Sequence, residues 1–319
     1  MMGAVLSLLL CLAGPQDSFS FRVECVKDTY LLMEPIAVKY TLKNVSDRTY
    51  YLDMYNAIYD SLEFHLYELR SGREVPKFRL KVEVDAIPLS MVPDIKFEPG
   101  DSEVSVSDIA IHYVDTSLIM PGVYVYRVRP KLNIVGEGWV YLDFSEDTFW
   151  VVEPEGEERE AFEFLRKFYS PSMGYSLEIS RRILRDKLRQ MGETSEKPSK
   201  IIQAGLLEYY REFLKRYPNS VYTPIVLDLY EFTCYGAGCP KEEWFGAYRR
   251  LILDFPDTYE AYTGVRGLTE LVKGSGAKVT EEEVISILRE VVEKHPNSLA
   301  ALGVRKVITE GELMEDGGR

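Results

Sequence analysis

Phe213-Leu214-Lys215-Arg216-Tyr217-Pro218-Asn219-Ser220 recurs as Leu251-Ile252-Leu253-Asp254-Phe255-Pro256-Asp257-Thr258 and again as Val291-Val292-Glu293-Lys294-His295-Pro296-Asn297-Ser298. The three prolines lie 38 and 40 residues apart. Each copy reads as one helix ending where the next begins. A ring residue closes the first helix, and proline, which has no N–H and clashes with the preceding turn, forbids its continuation. Ser or Thr two residues later is suited to capping the following helix. Thr223, Ala261 and Ala301 then stand five residues beyond each proline, small enough for helices to cross closely. Paired helices at such a period form an α-solenoid, in which each pair is stable only when stacked on its neighbours.

Upstream of this array the apolar period changes. Phe21–Val26, Ile36–Leu42 and Leu62–Leu69 alternate between apolar and polar residues, as half-buried strands do. Tyr50–Leu52, Arg79–Val84, Val123–Val128, Trp139–Phe144 and Thr148–Val152 continue the series. Ser71-Gly72-Arg73 marks a hairpin, while Pro99-Gly100-Asp101 and Met120-Pro121-Gly122 are turns. Short strands without a long helical pattern indicate an antiparallel β-sandwich. Glu153-Pro154-Glu155-Gly156-Glu157-Glu158 stops the last strand and opens a helix with acids at its positive end. The expected order is therefore a leader at 1–20, a sandwich at 21–154, linking helices at 155–198 and the helical array at 199–319. Within the linker Tyr175–Met191 is an amphipathic helix candidate, and Gly192–Ser199 reads as a loop.

Two resemblances refine this outline. Tyr30 to Ser46, with Glu34-Pro35-Ile36 leading to Leu42-Lys43-Asn44-Val45-Ser46, resembles the opening of immunoglobulin-like accessory domains in exported prokaryotic proteins, and Pro121-Gly122-Val123-Tyr124 resembles the start of a late strand in them. That implies an Ig-like sandwich with no catalytic role. The recurrent Tyr-Pro-Asn-Ser corners resemble tetratricopeptide (TPR-like) repeats of exported envelope proteins, although their spacing exceeds the roughly 34 residues usual in that family. The resemblance implies a solenoid that binds a protein or peptide partner.

Ala4 to Ala13 is an apolar run of signal-peptide length, too short to span a bilayer. The expected compartment is periplasmic, cell-envelope or extracellular. No Lys or Arg precedes Arg22, so a start further upstream stays open. Cys11 allows a lipid-anchor reading, but Leu10 stands where such signals carry a small residue. Membrane association is expected only through this N-terminus.

Chemistry-bearing motifs are sparse. The chain lacks Gly-x-Gly-x-x-Gly, a Walker loop, Gly-x-Ser-x-Gly and His-Glu-x-x-His. A net charge of −13 without a Lys/Arg-dense run argues against nucleic acid, whose affinity rests on phosphate neutralisation. No catalytic, cofactor or metal-binding residue is assigned. Cys234 and Cys239 enclose a loop with two glycines that suits a disulfide, and a zinc site there would need two further ligands. Cys239 as a nucleophile with His295 and Asp254 needs a spatial adjacency that spacing does not provide. Among 22 tyrosines, Tyr210, Tyr217 and Tyr222 are the candidates for a partner-binding groove, since Tyr210 and Tyr217 share one helix face. The expected function is a non-catalytic protein-binding scaffold. The alternatives are a hydrolase or protease-related protein with an unrecognised site, and a sandwich that binds a protease as an inhibitor does.

Overall fold

A computed structural model describes residues 15–52, 62–76, 95–109, 119–169, 183, 198–273 and 279–309. The leader with Cys11, the strand at Arg79–Val84 and His112 lie outside the described residues, as does Tyr175–Met191 except Ile183. Strands come first: β1 (Phe19–Cys25), β2 (Thr29–Leu31), β3 (Ala37–Asn44), β4 (Tyr50–Leu52), β5 (Leu62–Glu68), β6 (Arg73–Glu74), β7 (Ile95–Phe97), β8 (Ser102–Asp108), β9 (Gly122–Ile134), β10 (Gly138–Tyr141) and β11 (Ser145–Val152). Helices follow: α1 (Gly156–Leu165), α2 (Pro198–Arg216), α3 (Thr223–Ala237), α4 (Lys241–Asp254), α5 (Tyr259–Lys273), α6 (Glu281–Lys294) and α7 (Leu299–Thr309). The chain is β then α.

The first of two compact units comprises residues 1–28, 38–107 and 122–150. One of its sheets has the order β1-β3-β8, with β1 antiparallel to β3 in the register Phe19↔Asn44 to Cys25↔Val38. The other is organised on β9, which pairs antiparallel with β5 from Leu62↔Pro130 to Glu68↔Tyr124 and with β10 from Gly138↔Ile134 to Tyr141↔Lys131. Alternation along β9 is strict. Tyr124, Tyr126, Val128, Leu132 and Ile134 are buried, and the residues between them face outward. Pro130 has no N–H to offer a ladder, and it falls opposite the first residue of β5 and at the break between β10 and β11, where little donation is lost. The strand continues to Ile134, beyond the Val128 end that the sequence suggests. Gly136 and Gly138 turn β9 into β10 at φ 83° and 84°, a conformation that side chains resist. Phe19 of one sheet meets Tyr50 and Phe97 of the other at ring distances of 4.9 and 6.1 Å, and the Tyr40 and Tyr126 hydroxyls bond at 2.9 Å. Two sheets thus share one core.

The second unit comprises 29–37, 108–121 and 151–319. Two short segments of the β half, 29–37 and 108–121, belong to the helical unit. The reason is local: Leu31, Leu32 and Met33 pack on the helical core, and the Tyr222 hydroxyl donates to the Leu32 carbonyl at 2.8 Å. Ile36 N–H donates to the Asp108 carboxylate at 3.0 Å, tying the two segments together.

The three corners are built on the repeat. Phe213, Leu251 and Val291, each five residues before its proline, are fully buried. So are Thr223, Ala261 and Ala301, five residues after. Thr258 Oγ1 accepts from Ala261 N–H at 3.3 Å and Ser298 Oγ from Ala301 N–H at 3.1 Å, capping α5 and α7. The first corner differs. Ser220 donates instead to the Glu158 carboxylate at 2.6 Å, and α3 starts only at Thr223. Thr280 and Glu283 complete a reciprocal cap at the start of α6. α2 begins at Pro198, inside the stretch that the sequence assigns to a loop, because proline is well suited to a first helical turn.

Candidate functional site

The α3–α4 corner gathers the most unusual side chains of the helical unit. α3 ends with Gly238 at φ 75°, a left-handed cap that returns the chain so that Cys239 N–H donates to the Cys234 carbonyl at 2.9 Å. Cys234 and Cys239 are joined in a disulfide with Cα atoms 5.1 Å apart. Beside it Glu243, in the first turn of α4, accepts from the Tyr230 hydroxyl at 2.6 Å and from the Arg211 guanidinium at 2.7 Å. Those two bonds hold the Glu243 carboxyl below the usual carboxylate range. Glu243 also places a carboxylate oxygen near both sulfurs, all within 4.8 Å of one another. In the oxidised pair the sulfurs are committed to each other and the carboxylate to Arg211 and Tyr230, which leaves no ligand set for an ion.

On the same helix Phe232 is 75% exposed and Tyr235, three residues on, is 49% exposed. Residues three apart lie on one helix face. Tyr235 is held edge-on against Trp244 of α4 at 5.4 Å between ring centroids. Phe232 went unread in the sequence because Glu231-Phe232-Thr233 resembles the rest of a predominantly apolar helix, and periodicity alone assigns its ring to the core.

The proposed groove of Tyr210, Tyr217 and Tyr222 is corrected by the structure. All three are buried, the most exposed being Tyr217 at 9%. Tyr210 packs on Phe168 at 5.4 Å, Tyr217 on Phe213 at 5.3 Å and Tyr222 on Phe162 at 6.1 Å. The shared helix face that suggested a groove is the face on which α1 docks, so their seven-residue spacing reports core packing.

A second feature lies within the core of this unit. Asp228 and Glu231 stand one turn apart on α3, and Asp228 also lies near Glu260 on α5. Burial pushes Asp228 up to about 6 and Glu260 to about 8, and burial with Asp228 nearby pushes Glu231 to about 8. The Tyr248 hydroxyl donates to Glu231, and burial with that bond raises Tyr248 far above an ordinary phenol. Asp108 and Glu34 add further negative charge near Glu260. Glu231 and Glu260 therefore hold protons at neutral pH that ordinary carboxylates release. Cys239 is bridged, so it is not the free thiol that a nucleophile with His295 requires.

No family profile and no curated protein sequence matches the chain. Solved structures give only partial likenesses. A β-glucosidase from Listeria innocua in complex with isofagomine is 16% identical, covering 42% of this chain and 16% of its own, with a TM-score of 0.24. Spo0M, a sporulation control protein from Bacillus subtilis, is 14% identical over 47% of this chain and 55% of its own, with a TM-score of 0.25. Native alpha-2-macroglobulin from Escherichia coli is 11% identical over 92% of this chain and 53% of its own, at a TM-score of 0.25. The chain spans less than a fifth of the length of the β-glucosidases it matches. Among the described residues no helix is long and apolar enough to cross a membrane.

Proposed function

We propose that this protein is a non-catalytic scaffold of the cell envelope that binds a protein partner through its helical array, with the α-helical part built as a TPR-like solenoid and the β part as an Ig-like sandwich. The observation that carries the reading is the Phe232–Tyr235 face. A phenylalanine left three-quarters exposed forgoes about 2 kcal/mol of burial, which a partner surface recovers. Aromatic anchors dominate protein interfaces when they sit on a rigid support. Here the support is a helix end closed by a disulfide and a left-handed cap. The partner face is therefore α3, and the groove of buried tyrosines plays no part in it.

The test is a photo-crosslinking side chain placed at position 232 of the full chain in its native cells, with position 266 on α5, also exposed, as the comparison. A discrete protein adduct from 232, absent from 266 and competed away by the unlabelled chain but not by its Phe232→Ser/Tyr235→Ser variant, supports the reading. Equal adducts from both positions, or none from 232, overturn it.

A further inference from the structure

The outward face of β9 and its neighbours carries an alternation of rings and cations that the helical scaffold does not use. Arg127, Arg129 and Lys131 are outward residues of β9, and Trp139 and Tyr141 are their counterparts on β10, with Tyr141 directly opposite Lys131. Phe144 follows in the break before β11. The Lys131 ammonium lies 4.1 Å from the Trp139 ring centre and 5.5 Å from that of Tyr141. The Arg129 guanidinium lies 5.0 Å from Tyr141 and 4.7 Å from Phe144, and Arg127 lies 4.3 Å from Phe144. The series Trp139, Lys131, Tyr141, Arg129, Phe144, Arg127 is thus one continuous ladder of cation–ring contacts. From Arg127 to Lys131 it runs along about 13 Å of strand. Trp139 remains 42% exposed and Tyr141 48% exposed, ring area that the cations do not cover.

The charges along this ladder are unevenly neutralised. Arg129 makes a two-pronged contact with the Glu63 carboxylate, through Nε at 3.0 Å and through its second nitrogen. Arg127 faces Glu146 at 3.7 Å. No described carboxylate pairs with Lys131. A ligand on this face would therefore meet two exposed rings, an ammonium between them that no described carboxylate pairs, and next to it an Arg–Glu pair that offers both donors and acceptors. We infer that the outward face of β9 and β10 binds an extended polysaccharide that carries isolated uronates on a neutral sugar chain, with sugar rings stacking on Trp139 and Tyr141 and one uronate carboxylate on Lys131.

A pyranose chain presents apolar C–H faces flanked by hydroxyls that both donate and accept, which matches rings alternating with paired charges. Three other ligands fit less well. Nucleic acid carries a phosphate at every nucleotide and would need several neutralised at once, which one ammonium on a chain of net charge −13 does not supply, whereas an isolated uronate needs only one. An anionic bilayer presents charge across a whole plane and would meet Glu63 and Glu146 on the same face, whereas a single sugar chain sets one carboxylate on Lys131 away from them. A protein partner takes its anchors in a contiguous desolvated patch, whereas here a charge separates each ring from the next.

The test uses the full chain and a titration with a glucuronoxylan oligosaccharide, in which uronates hang from a neutral chain, followed by calorimetry, alongside a neutral xylo-oligosaccharide and vesicles of phosphatidylglycerol. Saturable binding of the uronate is expected. Trp139→Ala should weaken it about tenfold, while Trp139→Tyr retains most of it. Lys131→Met should cost about tenfold and abolish the salt dependence, with circular dichroism checking that the sheet is intact. Phe232→Ser should leave it unchanged, which separates this site from the partner face of α3. Equal affinity of the Trp139→Ala variant, equal binding of the neutral sugar, binding to the vesicles alone, or no binding of the uronate would each overturn the inference.

Discussion

Tyr217-Pro218-Asn219-Ser220 and His295-Pro296-Asn297-Ser298 differ only in the ring before proline, yet their serines do different work. Ser298 donates back to the His295 carbonyl at 2.8 Å and receives Ala301 N–H, so α7 starts at the next residue. Ser220 is drawn to Glu158 in the first turn of α1, which also accepts Val221 N–H at 3.2 Å. The ring residue's carbonyl is then taken by Thr223, whose hydroxyl donates to Tyr217 at 2.6 Å, and α3 starts two residues later than the repeat suggests. An ionised carboxylate makes a stronger hydrogen bond than a backbone amide can. The comparison teaches that a capping letter specifies a helix start only where no charged competitor reaches it.

The largest effect concerns what the corners share. Phe213→Ala should cost about 3–5 kcal/mol and Leu251→Ala about 2–5 kcal/mol, read by urea unfolding of the helical unit within the full chain. A loss below about 1 kcal/mol at either position would show that the corners are not structurally equivalent, since both side chains are fully buried.

Next in size is a pH effect that belongs to the space between α3 and α5. Glu231 and Glu260 keep their protons in the fold up to about pH 8 but ionise near 4.5 when unfolded. Between those values the unfolded chain releases protons that the folded chain retains. Stability should therefore be fully present at pH 4.5 as far as these groups are concerned, and should fall by about 1.4 kcal/mol per pH unit for each as pH rises towards 8. Thermal unfolding of the Glu231→Gln/Glu260→Gln variant over that range should lack this slope. An equal slope in the variant would assign it to other groups.

Glu158→Ala sharpens the contrast between corners. It leaves Val221 N–H without its acceptor and should cost about 1–2 kcal/mol. Hydrogen exchange should report the loss at Val221 and leave the amides of the third corner unchanged. If exchange rises equally at Ala301, the two corners are coupled and the comparison fails.

The smallest effect is at the caps. Ser298→Ala and Thr258→Ala should each cost about 1 kcal/mol by freeing one helix N–H. At the first corner Ser220 both donates to Glu158 and accepts Tyr222 N–H at 3.2 Å, so the cost of Ser220→Ala should shrink in a Glu158→Ala background while that of Ser298→Ala is unchanged. A double-mutant cycle reads both.

Much of the helical half was legible because its determinants are local. Proline stops a helix wherever it stands, and buried apolar residues must recur at the period of the helix that carries them, so Pro218, Pro256 and Pro296 placed three corners from spacing alone. The β half was legible where apolar and polar residues alternate, as in β1, β3 and β5, and less so along β9, where the run read as Val123–Val128 is carried by pairing to Ile134. The candidate sites were read less well. The tyrosines at 210, 217 and 222 have the spacing of any amphipathic helix, and spacing does not say whether α1 or solvent covers the face. Phe232 has no sequence signature at all, since one ring on an apolar helix is exposed or buried only by what the neighbouring helix leaves uncovered.

Order of elements, helix corners and strand alternation thus follow from the amino-acid sequence, because each depends on residues a few positions apart. Which acids are buried, which serine caps a helix, and which rings line up with cations on the outward sheet face depend on groups far apart in the chain, such as Glu158 with Ser220 or Glu63 with Arg129. Only tertiary structure sets those distances, and electrostatic and hydrogen-bond energies fall away within a few ångströms of contact.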